Sequence, residues 1–429
     1  MQATDIQRTV EAIFRIESAR LIATMIRVVR DVGLAEELVQ DAHLAAIERW
    51  PRDGVPQNPA AWLMSAAKNR AIDLLRRSKL HQRKEDQLTR EIEAQLEQAT
   101  PALVNDVDAL DDTIGDDLLR LMFIACHPLL STDARLALTL RLLGGLTTDE
   151  IARAFLVPEP TIAQRIVRAK RTLAEAHVEF EVPGDDDLVE RVGSVLQVIY
   201  LVFNEGYTAT AGDDWLRPSL CEEAMRLGRV LAGLMPAEAE VHGLLALMEL
   251  QASRLRARIG PGGEPVLLLD QNRAQWDHLL IGRGLAALKR AERLAASRGP
   301  YTLQAAIAAC HARARSADET DWPGIAALYA ELADVAPSPV VQLNRAVAVG
   351  MALGPQAGLE LVDALASEPS LQSYHLLPSV RGDLLGKLGR GTEARAEFER
   401  AARLTRNIRE RELLMKRAAA AGSHQSDPA

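Results

Sequence analysis

The sequence predicts an all-α protein made of several helical domains, and three observations lead to that prediction. Its 429 residues are rich in Ala, Leu and Arg, which lose little free energy on entering a helix. Apolar residues recur at helical spacing along most of the chain, as at Ile6, Val10 and Ile13. Pro and Gly interrupt this pattern at only a few places, chiefly Pro51–Pro56 and Gly260–Pro265. At roughly 100–200 residues per domain, the length favours two to four domains.

The pattern divides the chain into five segments. Two helical segments, residues 1–84 and 118–182, flank an acidic linker at residues 85–117. The linker holds eleven acidic residues and a single arginine, and its second half has no clear period. Residues 186–420 have helical period almost throughout. The polar tail, residues 421–429, is predicted to be disordered.

A helix-turn-helix is predicted from Gly145 to Leu173. Thr147 and Glu150 have the spacing of a capping box, in which each side chain satisfies a backbone N–H of the other residue. Leu156–Pro158 supplies the turn. Pro160 suits the first turn of the following helix, where its missing N–H is harmless.

The second helix of this motif has two distinct faces. Its polar face carries Thr161, Gln164, Arg165, Arg168 and Arg171. Its apolar face carries Ile162, Ile166, Ala169 and Leu173. A helix of this kind can contact phosphates and base edges in a major groove while its apolar face packs on a domain core. An ordinary helical hairpin with a solvated basic face is the alternative interpretation.

A second basic helix is predicted in the first segment. Between Lys68 and Lys84 there are seven basic residues and one acid, Asp73. Such a cluster can replace the counterions of nucleic-acid phosphates. Asn69 and Arg70 lie at the middle of the helix, where they could contact bases. A solvated charged face is again the alternative.

Three segments together resemble the extracytoplasmic-function sigma factors of bacterial RNA polymerase. Asp31–Ala42 resembles the helix of that family that binds core polymerase. Asn58–Arg77 resembles its segment for recognising the −10 promoter element, and Thr148–Arg171 resembles its helix-turn-helix for the −35 element. The order and spacing also match, and the resemblance covers residues 1–182.

The resemblance implies a transcription initiation factor that binds core RNA polymerase, at the β′ clamp and the β flap, and directs it to promoter DNA. The implied polymerase contacts are Asp31, Glu36, Glu37, Gln40 and Asp41. The implied contacts with the −10 element are Asn69, Arg70, Arg76 and Arg77. The implied contacts with the −35 element are the polar face of the second helix: Thr161, Gln164, Arg165, Arg168 and Arg171. The acidic linker would run through the active-site cleft of the polymerase.

The rest of the chain resembles the extension of one subgroup of that family, whose members end in a helical domain like tetratricopeptide repeats. Tyr200–Tyr207 is similar to the start of that extension. Ala352–Gly354 and Lys387–Gly389 lie 35 residues apart, close to the repeat period of about 34. We therefore expect an α-solenoid at residues 186–420. Its expected role is to regulate the factor, through a protein partner or an intramolecular contact, because stacked helical repeats form concave binding surfaces.

Charge and composition limit the other classes of function. The net charge of −9 requires any DNA-binding surface to be a local basic patch. Cys126, Cys221 and Cys310 are widely spaced, so we expect reduced, buried cysteines and neither a disulfide nor a metal site. The absence of a long apolar run and of a signal-peptide pattern predicts a cytoplasmic protein without a membrane segment. No catalytic or cofactor motif is present, so neither enzymatic activity nor a cofactor is expected.

Two other functions remain open at this point. A plain helix-turn-helix regulator accounts for Thr148–Arg171, but not for Asp31–Asp41 or the acidic linker. A protein-interaction scaffold of the tetratricopeptide type accounts for the C-terminal half alone.

Overall fold

The computed structural model describes most of the chain, namely residues 3–79, 117–155, 157–208 and 216–423. The described residues are predominantly helical, and their β structure is limited to one isolated antiparallel bridge between Ile259 and Pro265. The all-α prediction is therefore confirmed. The acidic linker predicted at residues 85–117 lies outside the described residues except for Asp117.

The chain divides into two compact units, Met1–Ile199 and Tyr200–Ala429. The described helices of the first unit are α1 (Ala3–Val29), α2 (Val32–Asp53), α3 (Pro59–Lys79), α4 (117–125), α5 (Thr132–Leu142), α6 (Thr148–Phe155), α7 (Glu159–Glu175) and the first part of α8 (Asp185–Tyr207).

Local interactions set the limits of α2. The Asp31 carboxylate caps its N-terminus by accepting the backbone N–H of Leu34 at 2.6 Å. The helix continues through Pro51, which lies in its last turn. It ends at Gly54, whose φ of 83° is easily adopted by glycine. Trp50 is buried there with its ring edge-on to Trp62 of α3 at 5.3 Å, so the end of α2 is held against the start of α3.

Helices α5, α6 and α7 pack together into the predicted helix-turn-helix domain. The capping box forms as expected: Thr147 N–H donates to Glu150 Oε2 at 2.8 Å, and Glu150 N–H donates to Thr147 Oγ1 at 3.1 Å. Pro160 lies in the first turn of α7. Ile151 of α6 and Ile162 of α7 are both buried, so the apolar faces of the two helices meet in the domain core.

The first part of α8 packs on the helix-turn-helix domain and the helix before it. Arg191 Nη2 donates to the carbonyl oxygen of Phe123 at 2.9 Å. Ser194 Oγ donates to the carbonyl oxygen of Cys126 at 2.6 Å and accepts from Arg135 Nη1 at 2.6 Å. The first unit therefore continues beyond residue 182, where the sequence pattern placed its end.

The second unit is a succession of helices joined by short connections. After the end of α8 come α9 (Pro218–Leu234), α10 (Ala239–Ala252), α11 (His278–Leu294), α12 (Pro300–Arg313), α13 (Trp322–Val335), α14 (Pro339–Leu353), α15 (Pro355–Ala364), α16 (Leu376–Lys387), α17 (Gly391–Leu404) and α18 (Ile408–Ser423). Most of these helices pack against the next along the chain. Three short 3-10 segments occupy the connection between α10 and α11.

The two positions of the predicted repeat end helices in a similar way. Gly354 follows α14 with φ 103°, and Gly389 follows α16 with φ 76°, a region that L side chains rarely adopt. Gly350 and Gly358 let α14 and α15 approach closely, because a Cβ added to Gly358 would lie 2.8 Å from the Gly350 Cα. Helix α18 extends to Ser423, so residues 421–423 of the predicted disordered tail are helical.

The cysteines differ in burial from one another. Cys126 and Cys221 are buried free thiols, and burial raises the pKa of the Cys126 thiol to about 11. Cys310 is only half-buried, which corrects the expectation of a buried residue there, because it lies at the margin of a core that includes Leu303 and Ile325.

None of the described helices has both the length and the apolar character needed to cross a membrane. Within the described ranges, no group of three or more His, Cys, Asp and Glu side chains is arranged to hold a metal ion.

Candidate nucleic-acid interface

Helix α7 presents the polar face that its sequence predicts. Gln164, Arg168 and Arg171 are exposed, while Thr161 and Arg165 are half-buried. The opposite residues, Ile162, Ile166, Ala169 and Leu173, are all buried. Helix α7 is therefore held by its apolar face and offers its polar face to solvent.

The basic residues of this face differ in whether they form ion pairs. Arg165 pairs with Asp133 of α5 at 2.8 Å, and Arg171 pairs with Glu175 one turn further along α7 at 2.6 Å. Arg168 forms no ion pair with any described residue. It is therefore the arginine of this face that can engage a phosphate or a base without first giving up a carboxylate.

Helix α3 carries the residues assigned to the −10 element. Asn69 and Arg70 are exposed, and the Arg70 guanidinium lies 3.7 Å from the Asp41 carboxylate of α2. Lys68 is buried, and burial lowers the pKa of its ammonium group, so it is not part of the exposed basic surface. Arg76 and Arg77 belong to α3, but their side chains lie outside the described part of the structure.

The residues assigned to polymerase binding have different environments. Glu37 is exposed on α2. Asp31 is the N-cap of α2, a structural role that the sequence pattern did not assign to it. Gln40 is half-buried and donates from Nε2 to Glu36 Oε1 at 2.5 Å. Asp41 is half-buried beside Arg70.

Glu36 departs most from expectation. Its exposed fraction is 4%, although the family resemblance implied a side chain facing polymerase. Arg141 Nε of α5 donates to Glu36 Oε1 at 2.6 Å, and the ammonium group of Lys170 of α7 pairs with Oε2. The position is corrected to an interior one, because two cations and Gln40 supply the partners that a buried carboxylate needs. We call Glu36, Gln40, Arg141 and Lys170 the Glu36 cluster.

A second buried carboxylate lies between α1 and α4. Asp117 has no exposed surface and pairs with Arg27 of α1 at 3.4 Å and with Arg120 at 2.9 Å. The sequence pattern placed Asp117 in the acidic linker, but in the structure it begins the described part of α4. In both places, a buried carboxylate joins the helices of residues 3–79 to those that follow residue 116.

Sequence reasoning did not identify the cations of these contacts. Arg27, Arg120, Arg141 and Lys170 are ordinary basic residues of amphipathic helices, and their acidic partners lie up to 134 positions away, the separation of Lys170 from Glu36. Lys170 has one distinguishing sign, since it stands between the polar and apolar faces of α7 instead of at the centre of either.

Family models match three parts of the chain. The model described as sigma-70 region 2 matches residues 13–80, and the model described as sigma-70, region 4 matches residues 120–173. A family of unknown function, DUF6596, matches residues 191–292. The first two ranges contain the two exposed basic surfaces described above.

Individual relatives agree with these matches. The chain is 44% identical over 390 residues to an uncharacterized protein of Rhizobium meliloti (strain 1021), covering 91% of this chain and 90% of that protein. It is 30% identical over 158 residues to the ECF RNA polymerase sigma factor SigK of Mycobacterium ulcerans (strain Agy99), covering 36% of this chain and 78% of SigK. SigK of Mycobacterium bovis (strain BCG / Pasteur 1173P2) matches to the same degree over 159 residues.

No solved structure matches the chain. The region 2 and region 4 models match in the same order as the two helical domains of the first unit, and the SigK proteins match across most of their own length. The chain therefore belongs to the ECF sigma factors of the sigma-70 family, and it carries a C-terminal helical extension.

Proposed function

We propose that this initiation factor contacts the −35 promoter element through Thr161, Gln164, Arg165, Arg168 and Arg171 of α7, and the −10 element through Asn69, Arg70, Arg76 and Arg77 of α3. Sigma factors of this family bind core RNA polymerase and direct it to promoters. The observation that carries the residue-level proposal is the polar face of α7, on which Gln164 and Arg168 are exposed and Arg168 forms no ion pair within the described part of the chain. Arginine donates to guanine and to phosphate in a major groove.

The proposed polymerase contacts lie on α2 and would meet the β′ clamp, while the helix-turn-helix domain would meet the β flap. Glu37 is available for such a contact because it is exposed. Asp41 becomes available to polymerase if Arg70 moves away from it. Gln40 and Glu36 become available only if the residues of the Glu36 cluster separate. Asp31 would act by fixing the start of α2. We expect the protein to work in the cytoplasm, where core polymerase and promoter DNA are present.

Run-off transcription from the gene's own upstream region, with purified core polymerase, tests this function. The full-length protein should start transcripts at a defined site. Arg168→Ala should reduce the transcript at subsaturating protein by about 5- to 100-fold, as expected for the loss of one arginine contact worth about 1–3 kcal/mol. The matched control is Arg283→Ala, which removes another exposed arginine, from α11.

Footprinting of the same complexes locates the contact. Loss of protection confined to the −35 region in the Arg168→Ala complex supports the assignment of α7. Equal loss across the whole footprint, or an Arg168→Ala variant as active as the Arg283→Ala control, contradicts it.

The requirement for core polymerase in DNA binding distinguishes this proposal from the plain-regulator alternative. A regulator would bind its DNA site tightly and specifically without polymerase. We expect the free protein to bind promoter DNA weakly, since the whole chain carries a net charge of −9 and only local patches are basic. Nanomolar, sequence-specific binding by the free protein at physiological salt would favour the regulator.

We propose further that the extension regulates the factor. The comparison that tests this is full-length protein against a chain ending at residue 208, because a chain ending at residue 182 would lose the contacts of Arg191 and Ser194 with the first unit. A change in run-off activity or in affinity for core polymerase supports regulation. Identical run-off activity and identical affinity for core polymerase in the two proteins would contradict the proposed regulation.

A further inference from the structure

A cluster of cationic and aromatic side chains lies within the second unit, outside the surfaces discussed above. It is built from the end of α8, the turn after α10, the last 3-10 segment before α11, and α12. Its members are Tyr207, Arg254, Arg258, Arg273, Trp276 and His311, which we call the Arg254 cluster. In this part of the chain the sequence pattern shows only the Pro/Gly interruption at Gly260–Pro265.

Aromatic rings hold the guanidinium groups of the cluster close together. The Arg254 guanidinium carbon lies 5.9 Å from the ring centre of Tyr207 and 5.8 Å from that of Trp276. Arg258 lies over the same Tyr207 ring at 3.6 Å, and Arg273 lies over the same Trp276 ring at 4.7 Å. Two aromatic rings thus gather three cations in one place.

Arg273 is fixed by the backbone. Its Nη1 donates to the carbonyl oxygens of His311 at 2.5 Å and Ala314 at 2.8 Å, and its Nη2 donates to Thr320 Oγ1 at 3.2 Å. None of these acceptors carries a charge. These hydrogen bonds position the Arg273 guanidinium without themselves neutralising it, while the negative charge of Glu319 acts on it from nearby.

Arg254 is the member with unused donors. Among the described residues, its guanidinium forms no ion pair and donates no hydrogen bond, and it lies over the faces of the Tyr207 and Trp276 rings. These ring contacts use none of the donors of Arg254, so its five N–H groups, which lie in the plane of the guanidinium, are left for an anion. That is the geometry with which arginine binds a carboxylate or a phosphate through two parallel hydrogen bonds.

Two further polar groups of the cluster are buried without a partner in the part of the chain that the structure describes. Trp276 is 4% exposed and His311 is 8% exposed, yet Trp276 Nε1 and His311 Nδ1 have no hydrogen-bond partner among these residues. A buried donor without an acceptor costs free energy comparable to a lost hydrogen bond. Burial, together with the charges of Arg254 and Arg273, lowers the pKa of His311 to about 4, so the imidazole is neutral near pH 7.

We propose that the Arg254 cluster is a binding site for a small anion that bears carboxylate or phosphate groups. The anion accepts two hydrogen bonds from the in-plane N–H groups of Arg254. It also offsets the charge of the neighbouring arginines and supplies an acceptor for the indole N–H of Trp276. This site is separate from the promoter-binding surfaces, and its test does not depend on transcription.

Calorimetric titration of the full-length protein tests the site, at constant ionic strength maintained with sodium chloride. Sodium phosphate and disodium succinate are the two probes. Saturable binding of phosphate alone assigns the site to phosphate compounds. Saturable binding of succinate alone assigns it to carboxylates. Binding of both shows a site for either group. No saturable heat with either probe overturns the proposal.

Variants decide whether the Arg254 cluster is where the anion binds. Arg254→Met keeps the length and apolar contacts of the side chain, and should weaken binding at least tenfold. Arg254→Lys keeps the charge but not the planar fork, and should weaken it less. The control is Arg283→Met, at an exposed arginine of α11, which should bind as the unchanged protein does.

Trp276→Phe provides a second, independent test. It keeps an aromatic ring for the two guanidinium groups but removes the N–H donor, so binding should weaken by about 3- to 10-fold, as for the loss of one hydrogen bond. Circular dichroism establishes that each variant is folded. Folded Arg254→Met protein that binds phosphate and succinate as tightly as the control would overturn the assignment.

Discussion

Thr147 shows how a single side chain supports the DNA-binding domain. Its hydroxyl and the Glu150 carboxylate satisfy backbone N–H groups at the start of α6, which would otherwise have no partner. Helix α6 has only eight residues, so a cap makes up a large part of its local stability. The position of α7 relative to the domain core depends in turn on α6.

We expect Thr147→Ala to lower the free energy of unfolding of the first unit by about 1 kcal/mol, the usual cost of losing an N-cap. Chemical denaturation monitored by circular dichroism measures it. Thr172→Ala is the control, since Thr172 is exposed in the last turn of α7, away from any N-cap, and alanine is the better helix former. Equal destabilisation by the two changes would contradict the capping role.

His311 makes the stability of the second unit depend on pH. Its pKa is lowered to about 4 in the folded protein, first by burial and then by the charges of Arg254 and Arg273. An unfolded histidine titrates near about 6.5. Between these values the unfolded chain binds the proton more readily, so stability is full above about pH 6.5 and falls as the pH drops towards 4.

Replacement of His311 by Phe should remove this part of the pH dependence. The two pKa values correspond to about 3 kcal/mol between pH 6.5 and pH 4. Unfolding free energies of the original protein and of His311→Phe, measured at pH 7 and pH 4.5, give the difference directly. A pH dependence that is the same in both proteins would show that His311 is not the titrating group.

At the scale of elements, the Glu36 cluster connects three helices, since Glu36 lies on α2, Arg141 on α5 and Lys170 on α7. Each cation has 22% of its side chain exposed, so the pairs are only partly screened by water. Removing one charge of a buried pair costs more than removing an exposed pair, because the remaining charge is left without compensation.

Glu36→Gln should therefore destabilise the first unit by about 2–3 kcal/mol, slightly less than for a fully buried pair. A double-mutant cycle of Glu36→Gln with Lys170→Met should give a coupling energy of about 0.5–3 kcal/mol. Denaturant titration of the four proteins supplies the values.

An exposed pair on α6 provides the matched comparison. Asp149 and Arg153 are joined at 2.8 Å, with most of each side chain in water. The same cycle there, with Asp149→Asn and Arg153→Met, should give no more than about 0.5 kcal/mol. Coupling energies as small in the Glu36 cluster would mean that its helices are held together by apolar packing alone.

The helices and faces of this fold could be predicted because the information is local. Three features show this: the capping box at Thr147, the proline at the start of α7, and the apolar face at Ile162 and Ile166. Each of them is set by residues only a few positions apart in the sequence. The burial of Glu36 could not be predicted, since it depends on two cations more than 100 positions away in the sequence. A carboxylate on a helix gives the same sequence pattern whether its side chain faces water or an arginine of another helix.

The extension shows the same limit over a longer range. The period of about 35 residues identified the glycines at 354 and 389, whose positive φ values end α14 and α16. The Arg254 cluster, in contrast, combines residues from four segments spread over about a hundred positions. Its arginines and aromatics have no common spacing, so only the folded chain brings them together.

For the whole molecule, charge distribution governs DNA binding. The net charge is −9, while the polar faces of α3 and α7 are locally basic. We expect affinity for promoter DNA in complex with core polymerase to fall with salt. Arg168→Ala should reduce the slope of log affinity against log salt by about 1, if Arg168 contacts a phosphate. Filter binding between 50 and 300 mM salt, roughly the range in which such slopes are measured, provides the test. An unchanged slope with weaker binding would instead indicate a base contact.

The enclosure of Glu36 has a consequence for any protein that docks on this side of α2. A partner that needs the Glu36 carboxylate must compete with Arg141 and Lys170 for it, so association is linked to an internal opening step. If the open form were about 1% of the population, the apparent dissociation constant would be about 100-fold above the intrinsic one. Substitutions at Arg141 or Lys170 would then tighten association without touching the partner, and affinity could be tuned from inside the protein.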